Sequence, residues 1–322
     1  MSNLDRTPDM TACGGRAGVA GEPVRELIPG RVVQLGESTK VRRLLPTLGR
    51  RMVGAWCFID HYGPDDIASE PGMQVPPHPH MGLQTVSWLH DGEVLHRDSL
   101  GSLQLLQPGQ LGIMTSGRAI AHSEESPREH RDILHGAQLW VALPDHARHT
   151  APAFEFHGEL PVVTGGGLRA TVMLGEVDGA RSPGTAYTPI VGADLAVGKG
   201  ASARLPLEPD FEYAMLTMTG GATVDGVLLE PGSLLYLGTN RSDVHIESDV
   251  DTRVLLLGGE PFDEQIVMWW NFVARTGEEV AAARAEWNAG AGSFGEVHGY
   301  DGERLLAPPM PAGPLKPRGR VR

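Results

Sequence analysis

From Val32 onward, short apolar runs alternate with Gly, Pro, Asp and Asn turn signals roughly every 8–12 residues. VVQLG, GAWCFID, LQTVSWL, GEVLHRD, LQLLQPG, LGIMTSG and AQLWVAL follow one another before the pattern lapses at Pro144–Phe154. It resumes with LRATVML, LAVGKG, EYAMLTMTG, GATVDG, GSLLYLG and TRVLLLG. Runs this short and this regularly punctuated predict strands, in the spacing of an all-β sandwich or barrel. The lapse divides the chain into two β units joined near residues 144–160. A single helix is expected where Thr276-Gly277-Glu278-Glu279 supplies capping-box spacing ahead of VAAARAEW, with Asn288-Ala289-Gly290 as its stop.

The two units echo each other. LQTVSWLHDGEV leads to LLQPGQLGIM in the first, and EYAMLTMTGGATV leads to LLEPGSLLYL in the second. Thirteen residues beyond Gly109 and Gly232 stand His122 and His245, which suggests a duplicated β-domain. The expected division is a disordered leader over 1–24, a first β domain over 25–150 and a second over 151–305. A loosely ordered Pro-rich tail follows over 306–322.

Composition narrows the function. Asp plus Glu number 40 against 27 Lys plus Arg, a net charge of −13, which disfavours direct nucleic-acid binding. Cys13 and Cys57 are the only cysteines, so neither a disulfide framework nor a Cys-rich zinc site is expected. No apolar run approaches the 18 residues of a membrane span, and the first 22 residues contain no apolar signal segment, so the expected location is the cytoplasm. No Walker loop or G-x-S-x-G is present, which leaves P-loop nucleotide-binding and serine-hydrolase readings without support.

The chemistry concentrates in histidine. Ten of the 13 histidines lie between His61 and His149. In Pro76-Pro77-His78-Pro79-His80 the prolines favour an extended backbone, so His78 and His80 project from one face. His122 and Glu124 share the same i, i+2 spacing. On neighbouring strands the two pairs bring three imidazoles and one carboxylate to one point inside a barrel. Such nitrogen and oxygen donors suit iron, manganese, nickel, copper or zinc. An H-x-H alone also fits two histidines on a wet loop; the second pair is what favours ligation. His61, His90, His96, His130, His135, His146, His149 and His157 are expected to face solvent for the most part. Cys57, in an apolar run, is expected in the core rather than as a nucleophile.

PPHPHMGLQTVSWLHDGEVLHRDSLGS, QPGQLGIMTSGRAIAHSEES and AQLWVAL together resemble the pirin family of bicupins, over about Val32 to Phe294. The resemblance implies two tandem cupin-type β-barrels with a short C-terminal helix. It also implies metal ligation by His78, His80, His122 and Glu124. Gln84 stands where ordinary cupins carry a ligating glutamate; the family does not use that position as a ligand, and Gln84 is expected to alter polarity around the centre. In the second unit His245-Ile246-Glu247 mimics His122-Ser123-Glu124. Leu207 and Pro209 fall within one residue of the positions of the two missing histidines, so that unit is expected to be metal-free.

Two functions follow from the resemblance. One is an iron-dependent dioxygenase of the quercetin 2,3-dioxygenase type, acting on a small aromatic substrate. It would hold one divalent transition metal, Fe(II) foremost, with Glu124 as ligand or catalytic base and Trp56, Phe58 and Leu83 as candidate walls or, equally, core residues. The other is a non-catalytic, metal-dependent redox sensor or transcriptional co-regulator working through a protein partner.

Overall fold

The computed structural model describes residues 23–35, 39–290 and 292–321; the expected leader lies outside these, save Pro23 and Val24. The fold is all-β, two cupin-type units each built from a seven-stranded and a four-stranded sheet. In the first unit the large sheet runs Ala153–His157, Leu111–Thr115, Leu83–Asp91, Ile133–Ala142, Trp56–Asp66, Thr39–Leu45, Arg31–Leu35. Its small sheet runs Gln74–His80, Ile120–Glu125, Val94–Asp98, Leu103–Leu106. The second unit has a large sheet of Glu26–Pro29, Ser233–Gly238, Glu212–Thr219, Thr252–Gly259, Ile190–Val197, Leu168–Leu174, Val162–Gly165. Its small sheet runs Ala201–Pro206, Asp243–Ser248, Ala222–Val224, Val227–Leu229.

The burial pattern explains the sequence pattern. Ala201–Pro206 on a small sheet alternates buried and more exposed positions, as a strand with one wet face must. Leu83–Leu89 and Trp56–Tyr62, on the first large sheet, are buried throughout. That sheet has the interior of its own unit on one side and the second unit on the other. One apolar layer therefore runs from Trp56, Ile59 and Ile113 into Leu174, Leu216 and Leu257. Burial of each aliphatic side chain in it contributes roughly 1.5–3 kcal/mol.

The two units exchange strands, which moves the expected boundary. Ala153–His157 pairs with Leu111–Thr115 of the first sheet, although it lies beyond residue 150. Glu26–Pro29 pairs with Ser233–Gly238 of the second sheet, although it opens the first unit in sequence. Local periodicity identifies a strand and carries no information on which distant edge it completes.

The helix spans Gly277–Ala289; the Thr276 side chain accepts from the Glu279 amide and Gly290 closes it at φ 80°. Val280, Ala283 and Trp287 form its buried face, packed with Trp269, Phe272 and Phe294 against Ala119 and Ala121 of the first unit. The tail is not loose along its described length. Just ahead of it Leu305 donates to the Pro77 carbonyl; within it Arg318 exchanges both main-chain hydrogen bonds with Ile266, and Arg320 pairs with the buried Glu212. Its main chain thus bonds to Arg51 of the first unit and to Ile266 of the second.

Candidate metal centre

The centre is built on the small sheet of the first unit. Gln74–His80 pairs antiparallel with Ile120–Glu125 in a register that sets His122 opposite His78 and Ile120 opposite His80. All three imidazoles are buried, at 0–1% exposure, and their ligand atoms lie within 4.8 Å of one another. Their hydrogen bonds orient them. His78 Nδ1 lies 2.8 Å from the Pro76 carbonyl and His80 Nδ1 3.2 Å from the Asn271 carbonyl. A carbonyl only accepts, so both Nδ1 atoms carry the proton and both Nε2 atoms present lone pairs, 3.1 Å apart. Nε2 of His122 is buried with no hydrogen-bond partner.

Three neutral imidazoles turned towards one point, one with an orphaned buried nitrogen, fit a transition-metal ion. Burial pushes His78 down to about 4. Burial, reinforced by the neighbouring imidazole of His78, holds His80 and His122 well below the ordinary histidine value. The lone pairs are thus free of protons at neutral pH.

Glu124 is buried two residues beyond His122, past a bulge in the pairing with Gln74–His80, and its Oε1 accepts from Ser87 Oγ at 3.0 Å. Among the described residues the convergent donor group comprises the three histidines. A layer of aromatic rings backs them: Trp140 meets His80 edge-on at 5.2 Å and stacks on Phe58 at 4.1 Å. The Arg43 guanidinium lies over Phe58 and is bound through two nitrogens to the buried Asp60. Trp56 is not a wall. Its indole donates to the carbonyls of Val191 and Gly258 in the second unit.

The C-terminal part of the chain completes the centre. A hairpin of Val267–Trp269 and Phe272–Ala274 bridges to Met81, and its turn delivers the Asn271 carbonyl to His80. Trp270 takes a left-handed φ of 52° in that turn, a conformation costing about 1–3 kcal/mol for such a residue. Gly82 permits the approach: at φ +74°, a Cβ there would stand 2.0 Å from the Val273 carbonyl oxygen.

Two residues of the centre are missed by sequence reasoning. His96 and Asp98 lie on Val94–Asp98, opposite Glu124 and His122 respectively. His96 is buried, with Nδ1 3.3 Å from His122 Nδ1 and Nε2 3.1 Å from Asp98 Oδ2. Its ring stacks on Phe154 at 4.1 Å, so the exchanged strand Ala153–His157 also reaches the centre. Burial acts to raise Asp98, but the His96 and Ser102 hydrogen bonds outweigh it and keep its carboxyl below the usual range. The signal was the same i, i+2 spacing that singled out His78 and His80.

Other expectations are corrected. His61 and His135 are buried at the junction of the units, their Nε2 atoms 2.9 Å apart, and the largely buried His90 lies 3.2 Å from Asp194. These positions look solvent-facing in sequence, and the second unit covers them. His130 and His157 are half-buried, whereas His146 and His149 are exposed. Gln84 donates its NH2 group to Thr115 Oγ1 and to the Thr185 carbonyl, while its Oε1 is buried with no hydrogen-bond partner. Cys57 is a core residue, as expected, its thiol pushed up to about 12 by burial.

Among the described residues the second unit has no counterpart of the centre. His245 pairs with Arg204, and Asp243 with Pro206, so Arg204 and Pro206, rather than Leu207 and Pro209, take the register positions of His78 and His80. Ala203, Leu205, Val244 and Ile246 fill the interior, while His245 sits outside and bonds to Ser202. A one-residue change of facing exchanges every side chain between the core and solvent.

Two cupin-type units with a histidine centre in the first define a bicupin. The chain belongs to the pirin family: residues 38–141 match the model described as Pirin, and residues 192–295 the one described as Pirin C-terminal cupin domain. It is 43% identical to a Pseudomonas aeruginosa protein named "Putative quercetin 2,3-dioxygenase", over 97% of this chain and 98% of that one. It is 38% identical to a "Pirin-like protein" of Caulobacter vibrioides, over 78% and 88% of the two chains. The crystal structure of a quercetin 2,3-dioxygenase from Acinetobacter baumannii superposes with a TM-score of 0.88 at 43% identity, covering 91% of this chain and 97% of that one.

Proposed function

We propose that this pirin is an iron-dependent dioxygenase for flavonol-like aromatic substrates, with His78, His80, His122 and Glu124 as the metal ligands. The observation that carries the reading is the convergence of three buried Nε2 atoms whose Nδ1 sides are already engaged. Names given to relatives at 43% identity supply the reaction class.

A bound divalent iron supplies Lewis acidity and a redox partner for dioxygen. The imidazoles hold it, and Trp140 closes the apolar side behind His80. Glu124 is assigned as the fourth ligand and as the base that takes the substrate hydroxyl proton onto its carboxylate. Ser87 holds one of its oxygens, which fixes the orientation of the other.

Oxygen uptake by iron-loaded protein with quercetin tests this, with Glu124→Gln as control. Flavonol-dependent uptake that falls at least tenfold in the variant is expected. No uptake with any first-row metal would exclude the dioxygenase and leave the redox-sensing reading, in which the acidic chain, at net −13, acts through a protein partner.

A further inference from the structure

We propose that His96 and Asp98 act as positioning residues that set the tautomer of His122, and with it the ability of that imidazole to ligate. The inference rests on the metal-centre reading, and concerns a choice that the other two imidazoles do not face. His78 and His80 each turn Nδ1 to a main-chain carbonyl, which can only accept, so their tautomer is fixed by the backbone. His122 turns Nδ1 to another imidazole, which can donate or accept. The contact alone leaves two arrangements: a proton on His122 Nδ1, with Nε2 free for metal, or a proton on Nε2, with the ligating lone pair lost.

Asp98 resolves the choice. Its Oδ1 accepts from the amides of Leu100 at 2.9 Å and Ser102 at 3.0 Å, and these main-chain donors lock the carboxylate in place. Its Oδ2 then faces His96 Nε2 at 3.1 Å and offers only acceptance. With a single ring proton, His96 carries it on Nε2 and presents Nδ1 as an acceptor, so His122 donates from Nδ1 and keeps the Nε2 lone pair. Phe154 stacks flat on His96, with 9° between the ring planes, and holds it in line. Polarity therefore runs in one direction from the Leu100 and Ser102 amides to the metal position. Such outer partners typically change metal affinity by roughly 10–100-fold.

The chain predicts how it inverts. In Asp98→Asn the Leu100 and Ser102 amides retain the oxygen, which turns the new NH2 group onto His96 Nε2. His96 then protonates on Nδ1 and donates to His122, whose proton moves to Nε2. In His96→Asn the side-chain oxygen falls near the former Nδ1 position and preserves an acceptor. His96→Phe keeps the stacking surface and removes it.

The test is long-range nitrogen–proton NMR of 15N-histidine-labelled, metal-free protein at pH 8, with zinc titration of the same samples. Wild type and His96→Asn are expected to show His122 as the Nδ1–H tautomer, with zinc affinities within about threefold of each other. Asp98→Asn and His96→Phe are expected to show Nε2–H at His122, unchanged tautomers at His78 and His80, and zinc affinity roughly 10–100-fold weaker. Should His96→Phe fail to fold, Asp98→Asn carries the test alone. An Nδ1–H tautomer and wild-type zinc affinity in Asp98→Asn would overturn the proposal. Wild type that takes up no zinc would defeat the metal-centre reading instead, while the metal-free tautomers would still test this inference.

Discussion

The main-chain carbonyl of Asn271 lies 3.2 Å from Nδ1 of His80, a contact between residues 191 positions apart in the chain. It makes the C-terminal hairpin part of the first unit's centre. The hairpin's approach depends on the absence of a side chain at Gly82, which links a turn glycine to ligand orientation.

Gly82→Ala is therefore expected to destabilise the fold by about 2 kcal/mol or more. The left-handed conformation alone costs an alanine about 1–2 kcal/mol, and the Val273 carbonyl must also be displaced. Urea unfolding measures it, and the same variant is expected to bind metal more weakly. A loss below 0.5 kcal/mol with full metal affinity would separate the hairpin from the centre.

Trp56→Phe tests the junction between the units. The variant keeps the ring but leaves the Val191 and Gly258 carbonyls without their indole donor, at an expected cost of about 1–3 kcal/mol. Metal content and KM for a flavonol should stay unchanged, since the indole faces the second unit. A raised KM with unchanged stability would return Trp56 to the substrate wall.

Acid should weaken the metal-free protein before its carboxylates titrate. Burial holds His61 at about 3, His78 at about 4 and His135 at about 4, against an unfolded value of 6.5. A depressed folded pKa means that the unfolded chain takes up these protons first. Stability contributed by the neutral rings is complete above pH 6.5 and is lost as pH falls towards 4. The slope is at most about 1.4 kcal/mol per pH unit for each group. A urea midpoint that falls between pH 6.5 and 4.5 is expected, and a flat one would contradict the burial argument.

Much of this was legible in sequence because it is local. Strand periodicity, the capped helix and the i, i+2 histidine pair each follow from a few adjacent residues and backbone geometry. What escaped is set by distant packing. His96 and His61 both lie on apolar strands; one enters the centre and the other lies at the junction of the units, and distant packing decides between them, with Asp98 two residues beyond His96 as the local hint. The Asn271 carbonyl has no signature, since every residue carries one. The echo at His245 lies outside its unit's interior and bonds to Ser202, because spacing along a chain does not fix which face of a strand points inward.

The convergence of His78, His80 and His122 implies a single metal ion in the first unit. Elemental analysis after loading with Fe(II) under anaerobic conditions and removal of unbound metal tests this most directly. One iron per chain is expected in the wild type and in His245→Ala, with loss of tight occupancy in His80→Ala and His122→Ala. Full occupancy in either of the latter two, or loss of the metal in His245→Ala, would contradict it.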